Sequence, residues 1–142
     1  MASAISENYT IRNLSDIEDQ AEKAGFGPAL QARFPREELG CEEVSFSLQR
    51  LAPDADAPFG HRHEQAEEVY VVLSGSGRMR LDDEVVDVKP LDAIRVAPAV
   101  LRAFAAGRDG LEILVFSRHH PGDAKIQPDP WAYLSRGSGP PR

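Results

Sequence analysis

From residue 43 onward the chain is written in short runs rich in Val, Leu, Ile and Phe, at 43–51, 61–63, 67–73, 77–81, 84–88, 92–97, 101–105 and 111–117. Clusters of Pro, Gly and Asp separate them. Runs this short, with no helical period between them, bury apolar surface as strands, and eight in succession predict an all-β sandwich or barrel. Three polar clusters read as hairpin turns because their residues tolerate tight or left-handed backbone: Ser74-Gly75-Ser76-Gly77, Leu81-Asp82-Asp83-Glu84 and Gly107-Arg108-Asp109-Gly110.

The flanks differ in character. Residues 1–14 are polar, and Ser15-Asp16-Ile17-Glu18 has the form of a capping box opening a short helix. Ile17, Ala21 and Ala24 would form its apolar face and Gly25 its left-handed cap. Gly27-Pro28 then interrupts, and a second helical turn is expected before Gly40. Residues 1–40 thus read as an arm, 41–118 as the β domain and 119–142 as an irregular tail. The tail holds Pro121, Pro128, Pro130, Pro140 and Pro141, which a central strand would not accept, with Trp131 and Tyr133 as packing anchors.

Composition narrows the function. A chain of 142 residues, 42% hydrophobic, suits one domain with a real core. Sixteen basic residues are dispersed among 23 acidic ones for a net charge of −7, which argues against a nucleic-acid surface. Cys41 is the single cysteine, so no internal disulfide forms, and no signal-like start is visible. No apolar run approaches the roughly 20 residues of a spanning helix. A cytoplasmic protein without membrane association is the expectation. No serine sits in a Gly-x-Ser-x-Gly elbow, and Gly75-Ser76-Gly77 is too short for a phosphate loop, so no nucleotide cofactor is expected.

The chemistry-bearing stretch is Gly60-His61-Arg62-His63-Glu64-Gln65-Ala66-Glu67-Glu68. On an extended strand positions i and i+2 face the same side, so His61 and His63 can aim both imidazoles at one point. A carboxylate from the next strand would complete a two-histidine, one-carboxylate facial set, an arrangement suited to Fe(II) and open to other first-row metals. Glu68 is the candidate, with Glu64 and Glu67 as alternatives. Alternation places Tyr70 and Val72 on the face of Glu68, and Val69, Val71 and Leu73 on the other.

His61, His63, Glu68 and Gly75 together match His-x-His, four residues, Glu, six residues, Gly, and the chain so resembles the cupin superfamily over about 43–118. The resemblance implies a double-stranded β-helix, or jelly-roll barrel, often homodimeric, holding a metal on three histidines and a glutamate. The last of those histidines comes from a second motif, and here this chain departs from the pattern. Aligning Pro90-Leu91-Asp92 puts Arg102 at that position; aligning Pro98 instead puts Ala103 there. The first alignment is preferred because it keeps Asp92 in place without an insertion, and it gives Phe104 the same face as Arg102. His119 or His120 could reach the barrel mouth, although solvent exposure is the simpler reading.

Three functions remain in view. One is a barrel that binds a small anionic molecule on Arg102, Tyr70 and Phe104, with one divalent Fe, Mn, Ni or Zn on His61, His63 and Glu68. Another is a metal-dependent enzyme of the dioxygenase or isomerase type. In the last, a metal-free dimeric barrel without chemistry, the Arg102 guanidinium supplies the positive charge that a buried Glu68 demands.

Overall fold

The computed structural model describes Ala4–Ile5 and residues 8–132, and its body is one curled antiparallel sheet of eight strands. They are β3 (Leu30–Arg33), β4 (Val44–Leu51), β5 (Phe59–His63), β6 (Glu68–Leu81), β7 (Glu84–Val88), β8 (Ala93–Val96), β9 (Arg102–Arg118) and β10 (Ala124–Pro128). A separate two-stranded ladder joins β1 (Ala4–Ile5) to β2 (Thr10–Ile11). Within the main sheet the order runs β10-β5-β9-β4-β3, while β6 pairs with β7, β8 and β9. This is the jelly-roll barrel architecture expected from the sequence.

Two of the three expected hairpins are absent. Only Leu81-Asp82-Asp83-Glu84 turns the chain back, with Leu81 opposite Glu84 and Asp82 at a φ of 54°. Ser74–Gly77 and Gly107–Gly110 instead lie inside β6 and β9, two long strands that pair with each other through register shifts between Val72 and Ser74 and between Gly75 and Gly77. These glycines mark bulges, which bend a strand and increase its twist. Gly75 has a φ of +85°, and a Cβ there would stand 2.0 Å from the Gly110 carbonyl oxygen. The glycines that suggested turns are there because two backbones cross closely, and the bend lets one pair of strands serve both halves of the barrel.

The segment read as an arm is built into the sheet. β3 is an edge strand whose Leu30–Arg33 pair with Leu51–Leu48 of β4. The first helix starts later than the capping box implied: a 3-10 turn spans Leu14–Asp16, and α1 (Gln20–Lys23) is capped by Asp19. Asp19 Oδ1 accepts from the N–H groups of Ala21 at 3.0 Å and Ala32 at 2.9 Å, which fastens α1 to β3. The second turn, α2 (Arg36–Leu39), ends at Gly40 with a φ of +72°, as expected of a left-handed cap.

The segment read as a tail also contributes a strand. β10 pairs with β5 from Ala124 opposite His63 to Pro128 opposite Phe59, and its place at the sheet edge is what accommodates Pro128. Pro130 is fully buried and its carbonyl accepts a hydrogen bond from Arg80 Nη1. Trp131 is partly buried beside it, and Tyr133 lies outside the described residues. The core runs through Tyr70, Val72, Met79, Phe104, Ile113 and Val115. Burying each such side chain stabilises the fold by about 1.5–3 kcal/mol. Among the described residues no helix is long and apolar enough to cross a membrane.

Candidate metal centre

Alternation along β6 does what the sequence implied: Glu68, Tyr70 and Val72 are buried, while Val69 and Val71 are partly covered and Leu73 is exposed. β5 brings His61 and His63 to the same place, and Arg102 at the start of β9 stands directly opposite His61. Directly opposed residues share a face, so Arg102, not Ala103, carries its side chain to the cluster. Glu64 and Glu67 are exposed and pair with Lys125 and Arg95.

His61 Nε2 lies 3.0 Å from Glu68 Oε1, and His63 Nε2 lies 3.3 Å from Glu68 Oε2. Tyr70 donates its hydroxyl hydrogen to Glu68 Oε1 at 2.5 Å. One donor atom from each of His61, His63 and Glu68 falls within 4.8 Å of the others, so the set could hold a metal ion. Ligands about 2.1 Å from an ion and at right angles stand about 3.0 Å apart, close to the spacing here. Burial alone would raise the Glu68 pKa; the adjacent His61 and His63 imidazoles and the hydrogen bond from Tyr70 outweigh it and hold the carboxyl well below its usual range. Tyr70 is pushed the other way by its burial, so its phenol stays protonated and remains a donor.

Asp123, just before β10, completes the arrangement. Its carboxylate accepts from the N–H groups of Gln65 at 2.9 Å and Ala66 at 2.8 Å, and faces His63 Nδ1 at 3.1 Å. Desolvation works against its charge, but those backbone hydrogen bonds and His63 keep its pKa below the ordinary value. An ionised carboxylate only accepts, so Nδ1 of His63 carries a hydrogen and, in the neutral ring, Nε2 presents a lone pair. That nitrogen is buried with no hydrogen-bond partner. Two lone pairs, from Nε2 and from Glu68 Oε2, thus face each other and call for a cation between them: a metal ion or a proton. The donor set fits a metal, and a carboxylate behind a ligating imidazole is the usual outer support of such a site. The sequence held no signal for Asp123, which sits in a Pro- and Gly-rich stretch where an aspartate reads as a turn residue.

Arg102 is 1% exposed and its Nε lies 3.9 Å from Glu68 Oε1. Its outer nitrogens turn away, Nη2 donating to the Ala97 carbonyl at 2.9 Å and Nη1 to that of Pro98 at 3.4 Å. Phe104 shares its face and packs on Tyr70 with ring centroids 5.4 Å apart. His119 and His120 are partly buried and line no part of the cavity around the cluster.

Residues 47–116 match the family model described as a cupin domain. The chain belongs to the cupin superfamily. A cupin protein from Bacteroides fragilis is similar in structure, with 24% identity, a TM-score of 0.66 and coverage of 82% of this chain and 89% of that one. The polyketide cyclase RemF from Streptomyces resistomycificus is 19% identical, with a TM-score of 0.69 over 90% of this chain and 94% of that chain. Oxalate decarboxylase from Bacillus subtilis is 21% identical over 80% of this chain, with a TM-score of 0.66, and this cupin spans 31% of its length. In sequence, an uncharacterised protein of Methanocaldococcus jannaschii is 38% identical over 48 residues, 34% of this chain and 38% of that protein's length. At these identities the structural likeness is one of fold. The cluster's chemistry rests on the side chains themselves.

Proposed function

We propose that this cupin holds one first-row divalent ion on His61, His63 and Glu68 and takes a small organic molecule into the barrel beside it. The observation that carries the reading is the buried, unpartnered Nε2 of His63, aimed at Glu68 while Asp123 fixes the other ring nitrogen. Bound there, the ion would act as a Lewis acid toward a ligand oxygen. The protein's own groups would orient and insulate: Tyr70 holds the Glu68 carboxylate, Asp123 holds His63, and the Tyr70 and Phe104 rings exclude water from the inner wall. A metal-dependent enzyme of the dioxygenase or isomerase type and a metal-bearing binding protein share these features.

Elemental analysis of protein purified without chelator is the test. The expected result is stoichiometric metal that is lost in His61→Ala and His63→Ala. Metal-free protein that also fails to take up Mn, Fe, Ni or Zn on titration would refute the reading. The proximity of Arg102 to Glu68 supports a second reading, in which the guanidinium and a proton on His63 replace the ion; metal-free protein that unfolds readily on loss of Arg102 would favour it.

A further inference from the structure

The cluster lines a cavity of about 320 Å³, at the small end of the range of about 300–1,000 Å³ typical of ligand sites. Most of its wall comes from side chains outside the cluster, and these are mostly apolar. Leu51, Leu111, Ile113 and Val115 are buried along it, and Phe26 packs on Phe59 with ring centroids 5.5 Å apart. Phe26, Phe34 and Ile126 line the cavity yet reach solvent, at 36%, 50% and 58% exposure, and so mark its mouth. Exposed apolar groups gathered at an opening are the mark of a ligand entrance.

Away from the cluster, the polar side chains of the wall make hydrogen bonds of their own. Gln49 Nε2 donates to Ser47 Oγ at 3.1 Å, and Gln20 donates to Glu18 outside the cavity. Arg102, the single Lys or Arg of the lining, spends its outer nitrogens on the carbonyls of Ala97 and Pro98. An anion entering this cavity would lose its hydration, and the one donor nitrogen of the walls without a hydrogen-bond partner, Nε of Arg102, already faces the Glu68 carboxylate at 3.9 Å, so the exchange is costly. The expectation of an anionic ligand rested on a free guanidinium; here its outer nitrogens are engaged and its charge is opposed by Glu68, which weakens that ground.

We infer that the ligand is a neutral, mainly apolar molecule of aromatic-ring type, seated against the Phe26–Phe59 and Tyr70–Phe104 pairs with a single oxygen-bearing end directed at the His61–His63–Glu68 cluster. The inference rests on the proposed use of this cavity as a ligand site, but not on the metal. The rings that Phe26, Phe59, Tyr70 and Phe104 contribute to one apolar wall favour a flat ring over an aliphatic chain, through offset and edge-on contacts. The oxygen-bearing end would meet the part of the wall where Nε2 of His63 and Nε of Arg102 have no hydrogen-bond partner.

The test compares 2-naphthol with 2-naphthoate, which share a ring system and differ in charge at neutral pH, by titration calorimetry on the full chain as purified and after chelator treatment. In the chelator-treated protein 2-naphthol is expected to bind about tenfold or more tightly than 2-naphthoate. Ala32→Phe and Ala57→Phe, which fill the cavity from two different segments, should each weaken 2-naphthol by about tenfold or more, with a melting curve recorded for both. Equal or tighter binding of 2-naphthoate after chelation, no binding of 2-naphthol in either state, or unchanged affinity in a folded cavity-filling variant would overturn the inference. Binding of 2-naphthol to a protein that takes up no metal would uphold it while the metal-site reading fails.

Discussion

Replacing Arg102 by methionine removes a charge while keeping a side chain of similar reach, and the structure sets the size of the effect. At 3.9 Å the attraction between the guanidinium and Glu68 is about 4 kcal/mol at an effective dielectric of about 20. Both groups are buried, Arg102 at 1% and Glu68 at 7% exposure, so solvent screening trims little from that figure. Glu68 keeps its contacts with Tyr70 and the imidazoles, while the Ala97 and Pro98 carbonyls lose their donor. Weighing these, metal-free protein should lose about 3 kcal/mol, the lower end of what breaking a buried ion pair costs. With a urea dependence of about 2 kcal/mol per molar, the midpoint falls by about 1.5 M. The same change should raise the affinity for Zn or Mn by about tenfold or more, because a like charge leaves the neighbourhood of the ion. Urea unfolding with and without chelator, together with metal titration, reads both effects. A loss under about 1 kcal/mol in the metal-free protein, or weaker metal binding in Arg102→Met, would refute the reasoning.

The pH response should separate the metal-free and metal-loaded forms. The Glu68 carboxylate beside it raises the His63 pKa above its ordinary 6.5 despite desolvation, so this contribution is full below 6.5 and fades as pH rises through the shifted value. The lowered pKa of Glu68 works in the other direction, its contribution being present above the ordinary 4.5 and fading as pH falls. Chelated protein should accordingly be most stable between those values, whereas metal-loaded protein should gain stability as pH rises past 6.5, because a ligating imidazole must be neutral; thermal melts across pH check both curves. Asp19→Ala removes the acceptor shared by α1 and β3 and should cost about 1–2 kcal/mol in urea unfolding. The expected pairing of two copies is a proposal that sedimentation equilibrium checks: β3 and β10 are edge strands, Val44 on β4 and Phe116 on β9 are exposed, and a dimer mass is the expected result.

The cluster was legible because a strand repeats every two residues. His61 and His63, and Glu68 with Tyr70, needed only that period to be placed on common faces, and Arg102 with Phe104 followed from it once the second motif was aligned on Asp92. Strand continuity was harder to see. Gly75 and Gly110 carry the composition of a turn, and a one-dimensional pattern does not distinguish a glycine that reverses the chain from one that lets another backbone pass at contact distance. The membership of β3 and β10 in the sheet was also hidden. Leu30–Arg33 is too short to show alternation, and Ala124–Pro128 contains the residue that argues against a strand except at an edge. Asp123 was invisible for a related reason, since its partners are the backbone of Gln65 and Ala66 and a ring about sixty positions away.

Those missed segments decide what kind of cupin this is. The stretch that matches the family, 47–116, holds both imidazoles and the Glu68 carboxylate, which makes it the part that defines a metal-capable barrel. It lacks Asp123, which sets the tautomer of His63, and it lacks Phe26, Phe34 and Ile126, which form the mouth. The flanking segments therefore supply both the support that presents Nε2 of His63 and the exposed apolar surfaces that the proposed ligand would meet first. Their joining through the sheet links the two: β10 pairs with β5 from His63 to Phe59, so the strand that carries Ile126 to the mouth begins beside Asp123 at the metal centre. A shift of β10 would move the entrance and the imidazole together. On the proposed function, ligand selectivity and metal geometry would accordingly both depend on the same edge strand, outside the motif by which the family is recognised.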